Sequence, residues 1–389
     1  MQQKNLLLKF AIICLLFSNN AFSQTYNSFY GNVVSNVSAA NILADLNSYE
    51  NLGVKSLGST QLVNAENWIT QRYSDLGYTD VVIQTFPYSQ SGTSNNIIVT
   101  KTGTTYPNKY IILDAHYDTI NGTGTNDNGS GTALLLEVAR LLLNVETEYS
   151  IKLIHFSGEE NGLIGSSYYV NNTVNTENLD IKLVFNIDQV GGTSGEPNNK
   201  IYCERDQSNP QSNNAESATI TNILANCMEL YSSLDTVISH AYASDYVPFE
   251  NNGEIITGLY EYDESPYSHT SQDVLSNMDP DYLYEVTKGA LGALLEFAIA
   301  TTLSTPDFTT QQIDIYPNPS STGIINLNIP EANTNNTSLT LYTILGKKVY
   351  SKNNLTSNEK LDFKNLQKGV YLATIEIGNK KITKKIVLN

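Results

Sequence analysis

Basic residues are scarce in this 389-residue chain, where Lys and Arg number 22 against 39 Asp and Glu, for a formal net charge of −17. The imbalance belongs to the body, because from Thr305 to Asn389 lysines outnumber acids ten to six. A strongly acidic body repels nucleic acid and anionic membrane surfaces, and no basic stripe or base-stacking motif offsets it. The plainest account of the acidity is solubility. Long apolar runs are also missing: beyond the first 23 residues no segment reaches the roughly 18 apolar residues a bilayer span requires. Cysteine occurs three times, and once Cys14 is assigned to a leader only Cys203 and Cys227 remain. They allow one disulfide in an oxidising compartment, with two free buried thiols as the other reading. Histidine is limited to His116, His155, His240 and His269.

What is present begins with that leader. Lys4 and Lys9 flank or enter an apolar run from Leu6 to Phe17, and Ala21, Phe22 and Ser23 form a small-x-small cleavage site before Gln24. The pattern predicts a secretory signal peptide over 1–23 and an exported mature protein. Residues 24–40 are polar and read as a wrapped arm or a disordered lead. From Asn41 the apolar spacing turns helical, through Leu46 and then from Leu62 to a stop at Gly77. Val81 to Phe86 and Asn96 to Thr100 read as strands. The stretch Glu196 to Ser217, rich in Asn, Ser, Gln and Pro, predicts a long surface insertion near the site. Ala218 to Ser233 reads as a helix, Glu254 to Tyr260 as a strand, and Asp281 to Thr301 as a closing apolar helix.

The chemistry gathers at the ends of three apolar runs. Tyr110 to Leu113 leads into Asp114, Ala115, His116, Tyr117 and Asp118, then a loop holding Asn126, Asp127, Asn128 and Gly129. Buried strands of open α/β sheets keep their sites at such carboxyl ends. His116 and Asp118, two apart, project to one face, so one can orient the other. Alone, His116 and Asp127 read equally as half a metal site or as a strand-end histidine and a helix cap. The next run, Tyr149 to Phe156, is followed by Glu159 and Glu160; adjacent acids point apart, so one can ligate a metal while its neighbour faces substrate as a base. The third, Ile181 to Ile187, ends in Asp188, and His269 follows later. His155, inside a strand, reads as a packed core histidine, and His240 has no evident partner.

Together these residues resemble the zinc exopeptidase family that includes secreted bacterial leucyl-type aminopeptidases and, more distantly, glutaminyl cyclase and the transferrin receptor ectodomain. The resemblance covers about Asn41 to Ala300. It implies an α/β fold, a three-layer α/β/α sandwich on a mixed central sheet, with two Zn²⁺ ions: one held by His116 and Asp188, the other by Glu160 and His269, and Asp127 bridging both. By the same resemblance Glu159 is the general base and Asp118 the partner of His116. Two zincs sharing a carboxylate polarise a scissile carbonyl and lower the pKa of a water. Ser244, Asp245, Tyr246, Val247, Pro248 and Phe249 look like the family's segment upstream of the last histidine, with Tyr246 where many members carry histidine. Tyr242, Tyr246 and Asp245 are candidates for oxyanion or substrate contacts.

The implied activity is removal of N-terminal residues from peptides or proteins with free N-termini. A glutaminyl cyclase-like acyl transfer would use nearly the same ligands. A carboxypeptidase or dipeptidase would need a basic group for a substrate carboxylate, and a non-catalytic binding module would be expected to have lost ligands, whereas none is missing here.

Past a Ser/Thr/Pro/Gln-rich linker at 303–312 the pattern changes to short alternating runs, which predict a small all-β sandwich over 313–389 beside the exopeptidase domain at 24–302. Tyr316-Pro317-Asn318-Pro319, Leu345-Gly346-Lys347, Lys368-Gly369-Val370-Tyr371 and the ending Lys384 to Leu388 look like the C-terminal sorting domain of type IX secretion. That resemblance implies the type IX machinery as a partner and passage through the periplasm to the cell surface or medium. A carbohydrate- or surface-binding β module is the other reading.

Overall fold

The computed structural model describes residues 24–90, 92–302, 313–329, 337–344, 346–377 and 380–389. The predicted leader and linker, and Leu345 of the tail motif, lie outside these residues. The chain divides into two compact units at residue 303.

The first unit is built on eight strands: β1 (Val81–Pro87), β2 (Thr93–Lys101), β3 (Tyr106–His116), β5 (Tyr149–Phe156), β6 (Asp180–Ile187), β7 (Lys200–Arg205), β8 (Asp235–His240) and β9 (Ile256–Glu261), with β4 (Val145–Thr147) pairing apart with β10 (Ala300–Thr302). Their order in the sheet is β1-β2-β5-β3-β6-β9-β7-β8. The four central strands β5, β3, β6 and β9 run parallel, while β2 and β7 are antiparallel to their inner neighbours. Parallel strands are covered on both faces, which is why their sequences are nearly continuous apolar runs.

Alternation along the strands separates two cores. Ile111, Leu113 and Ala115 of β3, with Ile151 and Leu153 of β5, pack on one face beneath the helices Ala39–Asn51, Thr60–Leu76, Gly129–Leu142, Asn214–Tyr231 and Pro280–Phe297. Ile112, Ile154 and Phe156 point the other way, onto Tyr169, Val170, Val174 and Phe249. The result is three layers. The connection from β3 to β5 crosses one face through Gly129–Leu142, and that from β5 to β6 crosses back through 164–177 on the other, so the chain reverses direction at the carboxyl end of β3. Open α/β sheets leave a crevice at such a reversal.

Several expectations change here. The stretch taken for a surface insertion contains β7, whose alternating Ile201 and Cys203 face the core; polar sequence on both sides conceals a strand of only six residues. The lead at 24–40 is a wrapped arm, with the helix Ser28–Val34 burying Tyr30 and Val34. The possible disulfide is not formed: Cys203 on β7 and Cys227 on the helix Asn214–Tyr231 are free, buried thiols packed in the apolar core. Burial pushes the Cys227 thiol up to about 12, which suppresses the thiolate that disulfide exchange needs.

His155 is a core residue, with its Nε2 2.9 Å from the Tyr73 hydroxyl and its Nδ1 unpartnered. Burial lowers its pKa to about 3. The folded state therefore keeps it neutral while the unfolded chain takes up a proton below about pH 6.5, and stability falls as pH drops between those values. Relative to His155→Leu, wild type should lose about 2 kcal/mol more between pH 7 and pH 5, measured by urea unfolding of both proteins in chelator; equal losses would show that the ring is protonated in the fold.

The second unit has a three-stranded sheet, β11 (Asp314–Tyr316), β12 (Ile324–Asn328) and β15 (Asn358–Asp362), and a four-stranded one, β14 (Lys348–Asn353), β13 (Thr337–Thr343), β16 (Gly369–Ile377) and β17 (Lys380–Leu388). Ile325, Leu327 and Leu361 from the first share one core with Leu339, Leu341, Ala373, Ile375 and Ile386 from the second, a small sandwich. β15 escapes the sequence pattern because Leu361 is its only apolar residue.

Candidate metal centre

The carboxyl ends of the parallel strands deliver the site. His116 closes β3, Glu159 and Glu160 lie in the turn after β5, and Asp188 follows β6. Asp127 stands just before the helix Gly129–Leu142, whose first turn approaches the sheet closely: a Cβ on Gly131 would lie 2.7 Å from the Ile187 carbonyl and 2.9 Å from the Ala115 Cβ. The N-cap of that helix is Asn128, whose side chain accepts the Gly131 N–H, which frees Asp127 from capping. His269 adopts a left-handed backbone, φ 58°, in the loop after β9. Non-glycine residues adopt that region sparingly, and mostly where surrounding structure holds them there.

Two sets of ligand atoms converge. His116 Nε2 lies 3.2 Å from Asp127 Oδ1 and 3.4 Å from Asp188 Oδ1. His269 Nε2 lies 3.2 Å from Asp127 Oδ2 and 2.9 Å from Glu160 Oε2. Each trio, His116/Asp127/Asp188 and Asp127/Glu160/His269, can hold a metal ion. A tetrahedral ion with bonds near 2.1 Å separates its ligand atoms by about 3.4 Å, close to the distances from His116 Nε2 to both carboxylates of the first trio. Asp127 presents one oxygen to each trio.

The surroundings orient these groups. His116 Nδ1 lies 3.1 Å from the Asp118 backbone carbonyl and 3.8 Å from its carboxylate, so the second ring nitrogen is held by the main chain of Asp118. The Asp118 carboxylate instead accepts the Glu159 N–H at 3.2 Å. Ser244 Oγ donates to Asp188 Oδ2 at 2.7 Å. Burial would raise the Asp127 carboxyl, but the bonds from His116 and His269 outweigh it and hold it well below the usual range. Burial and neighbouring carboxylates push Glu159 up to about 9, and burial with Asp127 pushes Glu160 up to about 8. Carboxyls crowded this closely retain protons unless cations compensate them.

A cavity of about 800 Å³ opens onto this centre, lined by Asp127, Glu159, Glu160, Asp188 and His269 and also by Gln189, Tyr202, Glu204, Tyr260 and Glu264. The expected contact residues are placed differently. Tyr242 stands on the rim, 83% exposed. Tyr246 is buried with its hydroxyl donating to Glu204 Oε2 at 3.0 Å and accepting the Tyr242 N–H. Asp245 is fully buried near Glu159 and takes no part in the cavity wall, which corrects its assignment as a substrate contact. His240 lies on the wall.

Asp273 went unassigned in the sequence although it lies four residues past His269. Its carboxylate accepts the Asn126 N–H at 2.7 Å and the Asp127 N–H at 3.0 Å, fixing the loop that carries Asp127, the residue common to both trios. Asp273→Asn turns one acceptor into a donor facing an N–H. Metal affinity should fall about 10- to 100-fold, read by competition with a chromogenic chelator; unchanged affinity would reduce Asp273 to a loop tie.

Residues 96–294 match the model for Peptidase family M28, and residues 314–389 that for a Secretion system C-terminal sorting domain. Aminopeptidase YwaD of Bacillus subtilis is 33% identical over 211 residues, 52% of this chain and 45% of the relative, so the chain spans less than half the length of that protein. The Probable leucine aminopeptidase of Arthroderma otae is 25% identical over 309 residues, 74% of this chain and 80% of the relative. Among solved structures, LapB from Legionella pneumophila shares the fold with a TM-score of 0.62 and 24% identity, over 71% of this chain and 78% of its own. The sorting domain marks the chain for export to the cell surface or beyond. Among the described residues no helix is long and apolar enough to cross a membrane.

Proposed function

Since the chain belongs to peptidase family M28, we propose that it is an exported zinc aminopeptidase that removes N-terminal residues from peptides, using two ions. The observation that carries this reading is the pairing of two metal-ligand trios through Asp127 at the mouth of a cavity whose wall contains no Lys or Arg among the described residues. A carboxypeptidase must hold a free carboxylate, and an acidic wall disfavours it, whereas a protonated α-amine suits Glu and Asp side chains.

His116, Asp127 and Asp188 would hold one Zn²⁺ and Asp127, Glu160 and His269 the other. When bound, the ions supply Lewis acidity toward the scissile carbonyl and acidify water. Glu159 lies outside both trios, with Oε2 4.0 Å from His116 Nε2, and is the group left to move protons. Its carboxylate takes a proton from the attacking water and returns it to the departing amine. Asp118 steadies that residue through its backbone N–H, and orients His116 through its own carbonyl. The tail would engage the type IX secretion machinery.

The test compares free aminoacyl and N-acetylated substrates on the purified, zinc-loaded protein. Free amino termini should be cleaved and blocked ones left intact. Equal cleavage of both would overturn the aminopeptidase reading, and pyroglutamate formation from N-terminal glutamine without hydrolysis would replace it with cyclase chemistry.

A further inference from the structure

Away from the metal centre, the loop after β7 and the helix Val247–Asn252, joined where Asn213 Nδ2 donates to the Glu250 carbonyl at 3.4 Å, carry buried oxygen atoms without hydrogen-bond partners. They are Asp206 Oδ2, Ser208 Oγ, Asn213 Oδ1, Asn214 Oδ1 and Glu250 Oε2. Asp206, Asn213 and Glu250 are 1%, 4% and 5% exposed. The Glu250 carboxyl is within reach of the Asp206 and Ser208 side chains. Asn213 Nδ2 donates to the Glu254 carbonyl at 2.7 Å, and Asn214 Nδ2 to the Ser208 carbonyl at 3.1 Å, so both amide nitrogens are used and both amide oxygens are left over. Among the described residues no Lys or Arg forms an ion pair with Asp206 or Glu250.

Two buried carboxyls side by side must share a proton or a cation. A shared proton fits the rise of Glu250 to about 7, caused by burial and then Asp206. It leaves the amide oxygens of Asn213 and Asn214 unexplained, because these accept only. A cation accounts for all the leftover oxygens together. The donor set is two carboxylates, two amide carbonyls and a hydroxyl, without nitrogen or sulfur; that is calcium chemistry, with oxygen ligands in a flexible shell, whereas zinc favours nitrogen and sulfur and magnesium demands near-ideal octahedral geometry.

We propose that Asp206, Ser208, Asn213, Asn214 and Glu250 form a calcium site that fastens the loop after β7 to the helix Val247–Asn252. The loop begins two residues after Glu204, and the helix follows Tyr246, whose hydroxyl bonds Glu204. The site thus braces two residues of the cavity wall from behind.

The experiment uses the full chain, stripped with EDTA, reloaded with zinc, and titrated with calcium chloride by calorimetry, followed by thermal unfolding with and without calcium. One calcium should bind without displacing zinc. At calcium near 100 times its Kd the midpoint of the larger unit should rise by roughly 5–10 °C, with magnesium giving a smaller rise. Asp206→Asn and Glu250→Gln should each abolish the shift while zinc content stays at the wild-type level. Absence of calcium heat and of any shift in wild type overturns the proposal in favour of a shared proton, as does a full calcium response in either variant. Zinc content and peptidase activity are read separately, so failure of this site is distinct from failure of the metal centre.

Discussion

Glu159→Gln should lower kcat by about 10³-fold or more, close to 4 kcal/mol of transition-state stabilisation, while leaving the metal content unchanged. Glu159 does not belong to either ligand trio. Its nearest approach to His116 Nε2 is 4.0 Å, against 3.2 and 3.4 Å for the Asp127 and Asp188 oxygens. Its backbone N–H is fixed to Asp118, so the amide side chain should occupy the same place as the carboxylate. Glutamine retains the shape and loses the capacity to accept a proton. Burial and the nearby acids push Glu159 up to about 9; cations that compensated those acids would lower it toward the range a base needs at neutral pH. Turnover and elemental analysis on one preparation check the assignment. Near-normal turnover with full metal would remove Glu159 from the proton path, and loss of metal with activity would make it a ligand.

The candidate ligands were legible in the sequence because they obey a backbone rule. Central strands buried on both faces are continuous apolar runs, and the first polar residues past their carboxyl ends fall at the mouth of the crevice, which is where His116, Glu159, Glu160 and Asp188 lie. What was not legible depends on long-range packing. Asp273 reads as a polar loop residue until the fold brings it under Asn126 and Asp127. Asp245 lies in the segment that resembles the family's stretch upstream of the last histidine, yet it is fully buried near Glu159 and absent from the cavity wall. Tyr246 has the chemistry of an oxyanion donor, but its hydroxyl is engaged by Glu204, a residue hidden in a stretch whose composition resembles a loop. β7 and β15 were obscured for a related reason: short strands at the outer parts of sheets carry too few apolar residues to register.

Asp127 differs from the other candidate ligands in belonging to both trios, and this gives the second large effect an internal control. With Asp127→Ala, His116 and Asp188 remain on one side and Glu160 and His269 on the other, two pairs that each fall short of the three protein ligands of a catalytic zinc. Both ions should be lost and turnover should fall to background. With His269→Ala the trio His116/Asp127/Asp188 is intact, so one ion should stay and one leave. Activity alone cannot separate these variants, because both lose a complete centre. Metal per chain after gel filtration does, with about two, none and one expected for wild type, Asp127→Ala and His269→Ala. The Asp127 substitution leaves its backbone N–H on Asp273 and the Asn128 cap in place, so the loop should keep its path while the shared oxygens are gone. One ion retained by Asp127→Ala would mean that the carboxylate belongs to a single site, and loss of both ions in His269→Ala would mean that the sites fill only together.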